Sequence, residues 1–266
     1  MATGMQTRSY WKNGTLNFFD DQLDTTWKGG VWKDCPLLAI QANPQLAHVY
    51  FTDFGSEFPA IADANPPTLN GFTCTQGGNS LGHLSLIAGI GGYLQLDSES
   101  TTQHEGLTMQ QTIAPWKCAA SKDIWFETSI QVVDTYDKIE LFAGLAKIDG
   151  TLLKNDGDLD TTADYVGFGI ETAQSGVVSF YECKDAAELS DTVVTIEGST
   201  EIRLGFHVTG TEAINCFVNS AEVALTNVVA TGIPTTDALA LSYVCQTDGT
   251  NDPLLQVNWV KIVQLR

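Results

Sequence analysis

IWFETSIQVV, residues 124–133, alternates without a break. Ile124, Phe126, Thr128, Ile130 and Val132 fall on one face, and Trp125, Glu127, Ser129 and Gln131 on the other. A period of two held over this length is the pattern of a β-strand with two different environments. The same period recurs in both directions along the chain. In EIRLGFHVTG, 201–210, Ile202, Leu204, Phe206 and Val208 point in, while Glu201, Arg203, His207 and Thr209 point out. LALSYVCQ, 239–246, gathers Leu239, Leu241, Tyr243 and Cys245. LLQVNWVKIV, 254–263, gathers Leu255, Val257, Trp259 and Val263, with Lys261 as the exception.

CFVNSAEVAL, 216–225, reads as strand, two-residue turn, strand, with Asn219-Ser220 at the tip. Cys216 and Val218 share one face, and Val223 and Leu225 resume the alternation. Further strands are expected at 92–97, 106–113, 139–148, 165–171 and 176–183. Short strands with one apolar face each, separated by turn signals, predict an all-β fold, an antiparallel two-sheet sandwich. CKDAAELSD, 183–191, is the one place where a helical turn is expected.

The first third differs. Residues 1–35 mix aromatic and short polar pieces, and Pro59, Pro66 and Pro67 break regular structure between 55 and 72. This predicts an extended N-terminal arm, 1–70, with short strands, ahead of a sandwich domain, 71–266. An aromatic-rich arm is not a flexible linker and should pack on its own domain or on a neighbouring subunit.

Thirteen Lys and Arg face 32 Asp and Glu, a formal charge of −19 over 266 residues. Such a balance argues against nucleic acid and anionic membrane as partners, since both need clustered positive charge. No apolar run reaches the roughly 18 residues of a membrane span, and the opening residues lack a signal-peptide core, so synthesis in a cytoplasm is expected. Cys35, Cys74, Cys118, Cys183, Cys216 and Cys245 are scattered singly and are expected as free thiols, a late disulfide being the other reading.

Motifs for chemistry are scarce. Gly89-Ile90-Gly91-Gly92 is followed by strand-like YLQLD, so it reads as a hairpin turn and not as a dinucleotide loop. Asp156, Asp158, Asp160 and Asp164 alternate in NDGDLDTTAD, which makes the loop a weak candidate for Ca²⁺. The twelfth position from Asp156 is Gly167, so the EF-hand pattern fails and a solvated acidic loop is the plainer reading. Glycoside cleavage needs two carboxylates flanking the bond. Glu182, Asp185 and Glu188 have the wrong spacing for one strand face, Asp97 and Glu99 lack a third partner, and Asp134, Asp137 and Glu140 straddle a turn. Ser85 lacks the second glycine of a nucleophile elbow, and the four histidines are isolated. No cofactor is expected. Trp116 and Trp125 are weighed as sugar-stacking platforms against core packing, which is the commoner use.

The two C-terminal stretches, 201–227 and 239–266, resemble the closing half of concanavalin A-like jelly-roll domains. Together with TRSYWKNGTLNFFDD, 7–21, and the ending VKIVQLR, the chain resembles head decoration (cement) proteins of tailed bacteriophages. That resemblance implies a non-enzymatic virion structural protein on the outer capsid surface. Its partners would be the major capsid protein and copies of itself, as a homotrimer. Tyr10, Trp11, Phe18, Phe19, Trp27 and Trp32 are then the candidate interface anchors. The alternative is a carbohydrate-binding or receptor-binding component on the same fold.

Overall fold

The computed structural model describes residues 7–12, 15–20, 30–54, 66–67, 69–77, 82–87, 92–133, 136–249 and 251–266, with backbone alone for the first two stretches and for Leu38. Among these residues the strands form three sheets. The smallest is a hairpin of β1 (Thr7–Lys12) and β2 (Thr15–Asp20). The other two are antiparallel and make the sandwich.

The seven-stranded sheet contains β4 (Phe72–Gly77), β7 (Gly106–Gln111), β9 (Ile139–Ala146), β10 (Tyr165–Ile170), β11 (Val177–Lys184), β12 (Ala187–Thr195) and β16 (Ala240–Thr247). Its spatial order is β12-β11-β10-β9-β16-β7-β4. The eight-stranded sheet contains β3 (Ala47–Asp53), β5 (His83–Ile87), β6 (Tyr93–Asp97), β8 (Ile124–Val133), β13 (Ile202–Thr209), β14 (Ala213–Val218), β15 (Ala221–Val223) and β17 (Leu254–Leu265). Its order is β15-β14-β13-β8-β17-β6-β5, with β3 also paired to β17. The long β17 thus carries two short strands on one edge, β6 beside its first half and β3 beside its second.

The inward faces are those that the alternation predicts for β8, β13 and β16. Phe126 stacks on Phe206 with ring centroids 4.8 Å apart, and Phe168, Phe180 and Phe206 close the cluster edge-on. All four rings are fully buried. Each contributes roughly 1.5–3 kcal/mol by removal from water. The hairpin turn forms as read, with Val218 opposite Ala221 and both Asn219 and Ser220 at positive φ (49° and 68°), but its second strand stops at Val223, short of Leu225. Two successive left-handed residues are what a two-residue hairpin turn needs to match the twist of its strands.

Three expectations change. CKDAAELSD forms no helical turn: Asp185 and Ala186, at φ 52° and 66°, turn β11 into β12, with Lys184 opposite Ala187. Ladder pairing with β11 outweighs the weak helical preference of Ala-Ala-Glu-Leu. Within the 1–70 stretch, a short helix α1 (Leu37–Ala42) and β3 are present, and β3 is hydrogen-bonded into the sandwich. Finally, β17 does not keep one phase. Val257 pairs with Ile130 and Trp259 with Ser129, so Asn258 is an extra residue, a β-bulge. Beyond it Val260 and Ile262 enter the core, and Trp259, Lys261 and Val263 face outward. The lysine that broke the alternation was marking the bulge.

Candidate functional site

The bulge builds a groove. It frees the Trp259 carbonyl, which accepts from Thr128 Oγ1 at 2.9 Å. That hydroxyl has one proton, so Tyr243 Oη, 2.8 Å away and wholly buried, donates to it from the opposite sheet. The re-aimed Trp259 and Lys261 then line a groove of about 560 Å³ on the outer face of the eight-stranded sheet. Phe51 of β3 and Glu127 of β8 line it too, and Trp32, Lys33 and Leu37 close it from the N-terminal segment. Phe51 is 53% exposed, a large apolar ring left to water.

The segment that closes the groove is anchored beneath it. Val31, Ile40 and Ala47 pack with Trp125, Phe217 and Val263 in a small outer core. Trp32 Nε1 donates to Glu127 Oε2 at 2.5 Å, and Lys261 Nζ sits 4.2 Å from the Trp32 ring centroid. The indole is therefore held from two sides, by a hydrogen bond to a carboxylate and by a cation on its face. Burial pushes the Glu127 carboxyl up, against the Trp32 hydrogen bond and the charges of Arg203 and Lys261. Burial likewise pulls the Lys261 ammonium down, against Cys35 and Glu127. Along the same outer face, Gln256 donates to Gln95 at 2.7 Å, Gln131 donates to Gln256 at 2.5 Å, and Asn258 donates to Glu201 at 3.3 Å. Aromatic faces, amides and one carboxylate beside an ammonium are thus offered on one surface.

Of the six candidate anchors, Trp32 lies in this groove. Tyr10 and Trp11 lie in β1, and Phe18 and Phe19 in β2. The side chains of these four, and Trp27 altogether, lie outside the described residues. Asp156, Asp158 and Asp160 do not converge. Asp156 Oδ2 is 3.3 Å from Lys154 Nζ, and the Asp156 and Asp160 side chains accept from the backbone N–H groups of Asp158 and Thr162. Asp164 is buried and accepts from the N–H of Asp185. No group of three or more ligating side chains suited to a metal ion occurs among the described residues.

That acidic loop is a lid. Leu152, Leu153, Leu159 and Ala163 of the 147–164 stretch pack onto Phe142, Tyr165, Tyr181 and Val244, sealing the outer face of the seven-stranded sheet. Beneath it Glu140 is wholly buried, with Oε1 2.7 Å from His104 Nδ1 and Oε2 without a partner among the described residues. Burial, and then the charge of Asp248, push Glu140 up to about 8. Glu182 is also fully buried, accepts from the Val229 N–H at 2.8 Å, and is pushed by burial to about 7. Neither buried acid was signalled by its neighbours in sequence.

Trp116 and Trp125 are core residues, at 0% and 1% exposure. His207 stacks on Trp125 with centroids 4.6 Å apart, so it is covered more than an outward position suggests. The six thiols are free, and burial pushes Cys35, Cys74, Cys118 and Cys216 up to about 12.

No protein-family model matches this chain, and no curated protein matches it. Solved structures do. A protein of unknown function from Shewanella oneidensis MR-1 aligns with a TM-score of 0.55 and 11% identity, over 83% of this chain and 87% of that one. Peanut lectin, solved with a nine-residue peptide, aligns with a TM-score of 0.50 and 10% identity, over 82% and 97%. At such identity the likeness speaks of architecture alone: the chain has the concanavalin A-like jelly-roll β-sandwich of the lectins.

Proposed function

We propose that the protein is a non-enzymatic recognition protein whose groove binds a saccharide. The observation that carries this is the meeting of Trp32, Phe51 and Trp259 around one hollow with Glu127 and Lys261 on its wall. Sugar rings offer apolar C–H faces to aromatic side chains and hydroxyls to carboxylates, ammoniums and amides, so this lining suits them. The indole of Trp32 is fixed before any ligand arrives, which lowers the ordering cost of binding. Glu127 is the one carboxylate lining the groove, and it is tied to Trp32. Hydrolysis of a glycosidic bond would need a second carboxylate across the bond. The test is a glycan array probed with the full chain and with Trp259→Ala. Binding that vanishes in the variant supports the reading, and equal binding by both sinks it.

A second reading is attachment to a larger assembly. In favour of it, β1 and β2 pair only with each other among the described strands, as an appendage would. The expected assembly is a bacteriophage virion, with the protein on the outer capsid surface as a homotrimer bound to the major capsid protein. Removing residues 1–29 leaves the groove residues in place and separates the two readings. Loss of capsid occupancy with glycan binding retained would assign assembly to the arm; occupancy unchanged by the deletion would refute that assignment.

A further inference from the structure

A second hollow, of about 410 Å³, adjoins the β3–β17 ribbon at its far end. His48, Lys117, Lys122, Gln264 and Arg266 line it, with Pro115, Ala119 and Leu265 as apolar wall. Gln264 pairs with His48 and Lys261 with Phe51, an odd offset along both strands. Since strand side chains alternate, His48 and Gln264 face away from the groove.

The charge of this hollow is at odds with the rest of the molecule. The chain has 13 Lys and Arg against 32 Asp and Glu. Yet two lysines, an arginine and a histidine meet here, and no Asp or Glu is among the lining residues. Among the described residues, Lys147 and Lys154 are paired with Asp237 and Asp156, whereas neither Lys122 nor Arg266 forms an ion pair with an Asp or Glu side chain. Asp123, next to Lys122 in sequence, has its carboxylate 3.5 Å from His207 Nε2 instead. Burial, and then the charge of Arg266, hold His48 below the usual imidazole value.

The frame is rigid. Gln264 accepts from the Lys117 N–H at 3.3 Å and donates to its carbonyl at 2.5 Å. Trp116 and Leu239 exchange two backbone hydrogen bonds, and the Trp116 ring packs 4.6 Å from that of His48. Lys117 Nζ donates to the Thr236 carbonyl at 3.1 Å, which fixes the ammonium and leaves it two protons.

We infer that this hollow binds a small organic anion, its phosphate, sulfate or carboxylate group held by Lys117, Lys122 and Arg266 and its body resting on Pro115, Ala119 and Leu265. The volume exceeds what a bare oxyanion fills and falls in the range of small-molecule sites. A long polyanion would have to lie across a surface of net charge −19, so the hollow selects short anions over polymers. This inference does not rest on the groove.

The test is titration calorimetry of the full chain with glucose 6-phosphate, glucose 6-sulfate, glucuronate and neutral glucose. At least one anion should bind in the millimolar range or tighter, more weakly as salt rises, and glucose should not compete at this site. Lys117→Ala combined with Lys122→Ala should weaken binding at least about tenfold, the scale of a lost charge-assisted hydrogen bond. Lys184→Ala, on β11, should leave it unchanged, and unchanged melting of the double variant would confirm its fold. Which of the three anions binds identifies the group recognised. Binding by none of them, or equal binding by the double variant, overturns the proposal, and inorganic phosphate binding as tightly as its sugar ester overturns the role of the apolar wall. Trp259→Ala should lose glycan binding and keep anion binding, so the failure of either site is visible separately.

Discussion

On the seven-stranded sheet, Phe142, Tyr165 and Tyr181 point outward and are wholly covered by the 147–164 stretch. On the eight-stranded sheet, Trp259 and Phe51 point outward and stay accessible. Both sets are aromatic, and both stand on the outer side of a strand. The difference lies in what the connecting segments do. A long loop closes the first face with leucines. The N-terminal segment closes the second only in part and leaves a groove whose wall is charged. An outward aromatic is therefore core or site according to a segment far away in sequence.

The comparison can be broken on the sealed side. Phe142→Ala should have the largest effect, a loss of about 3–5 kcal/mol in a denaturant titration. A loss under about 1 kcal/mol would mean that the lid is not packed as described. Glu140 comes next. Unfolded, it titrates near 4.5, the ordinary glutamate value; folded, burial raises it to about 8. Between those two pH values the unfolded chain has given up this proton and the folded chain keeps it, so stability falls as pH rises through the window. Glu140→Gln should remove that slope, its advantage growing from pH 4.5 to about 8 and then levelling; a constant difference at all pH values would contradict the buried acid. Gly157, at φ +80°, lies against the same carboxylate, and an added Cβ would sit 2.1 Å from Glu140 Oε1. Gly157→Ala should therefore cost about 1–3 kcal/mol, read by the same titration, and the cost should shrink when Glu140 is also shortened. On the open side the expectation reverses. Trp259→Ala should change unfolding by about 1 kcal/mol or less while lowering glycan affinity at least about tenfold, enough to remove the array signal, measured by calorimetry on an array hit. A large stability loss there would erase the distinction between the two faces.

The sequence pattern was legible where burial on one side was strict. In β8, β13 and β16 the alternation placed Phe126, Phe206 and Tyr243 in the core, and Asn219-Ser220 announced its own turn. Beyond Val257 the same pattern misled, because a period of two has no symbol for an inserted residue; Lys261 on an apparently apolar face was the visible trace. The groove was not legible, since Trp32, Phe51, Glu127 and Trp259 are brought together by pairing across the sheet and by packing of a distant segment. Of the anchors that the resemblance implies, Trp32 is placed through its bond to Glu127, a contact between residues 95 apart in the chain. Spacing excludes the carboxylate sets that contain Glu140 and Glu182 from glycoside cleavage, but spacing carries no information on burial, and burial raises both carboxyls.

The bulge at Asn258 also bears on how such a protein can change over generations. Trp259 or Lys261 can be exchanged for other residues, and the strand keeps its phase. Deletion of Asn258 would restore strict alternation with Lys261 still outward, whereas straightening the strand around the extra residue would carry Lys261 into the core. The outward aim of the groove lining is therefore held by strand pairing on both sides of the bulge, and the lining is left free to vary. Specificity can drift by point substitution while the architecture is inherited intact.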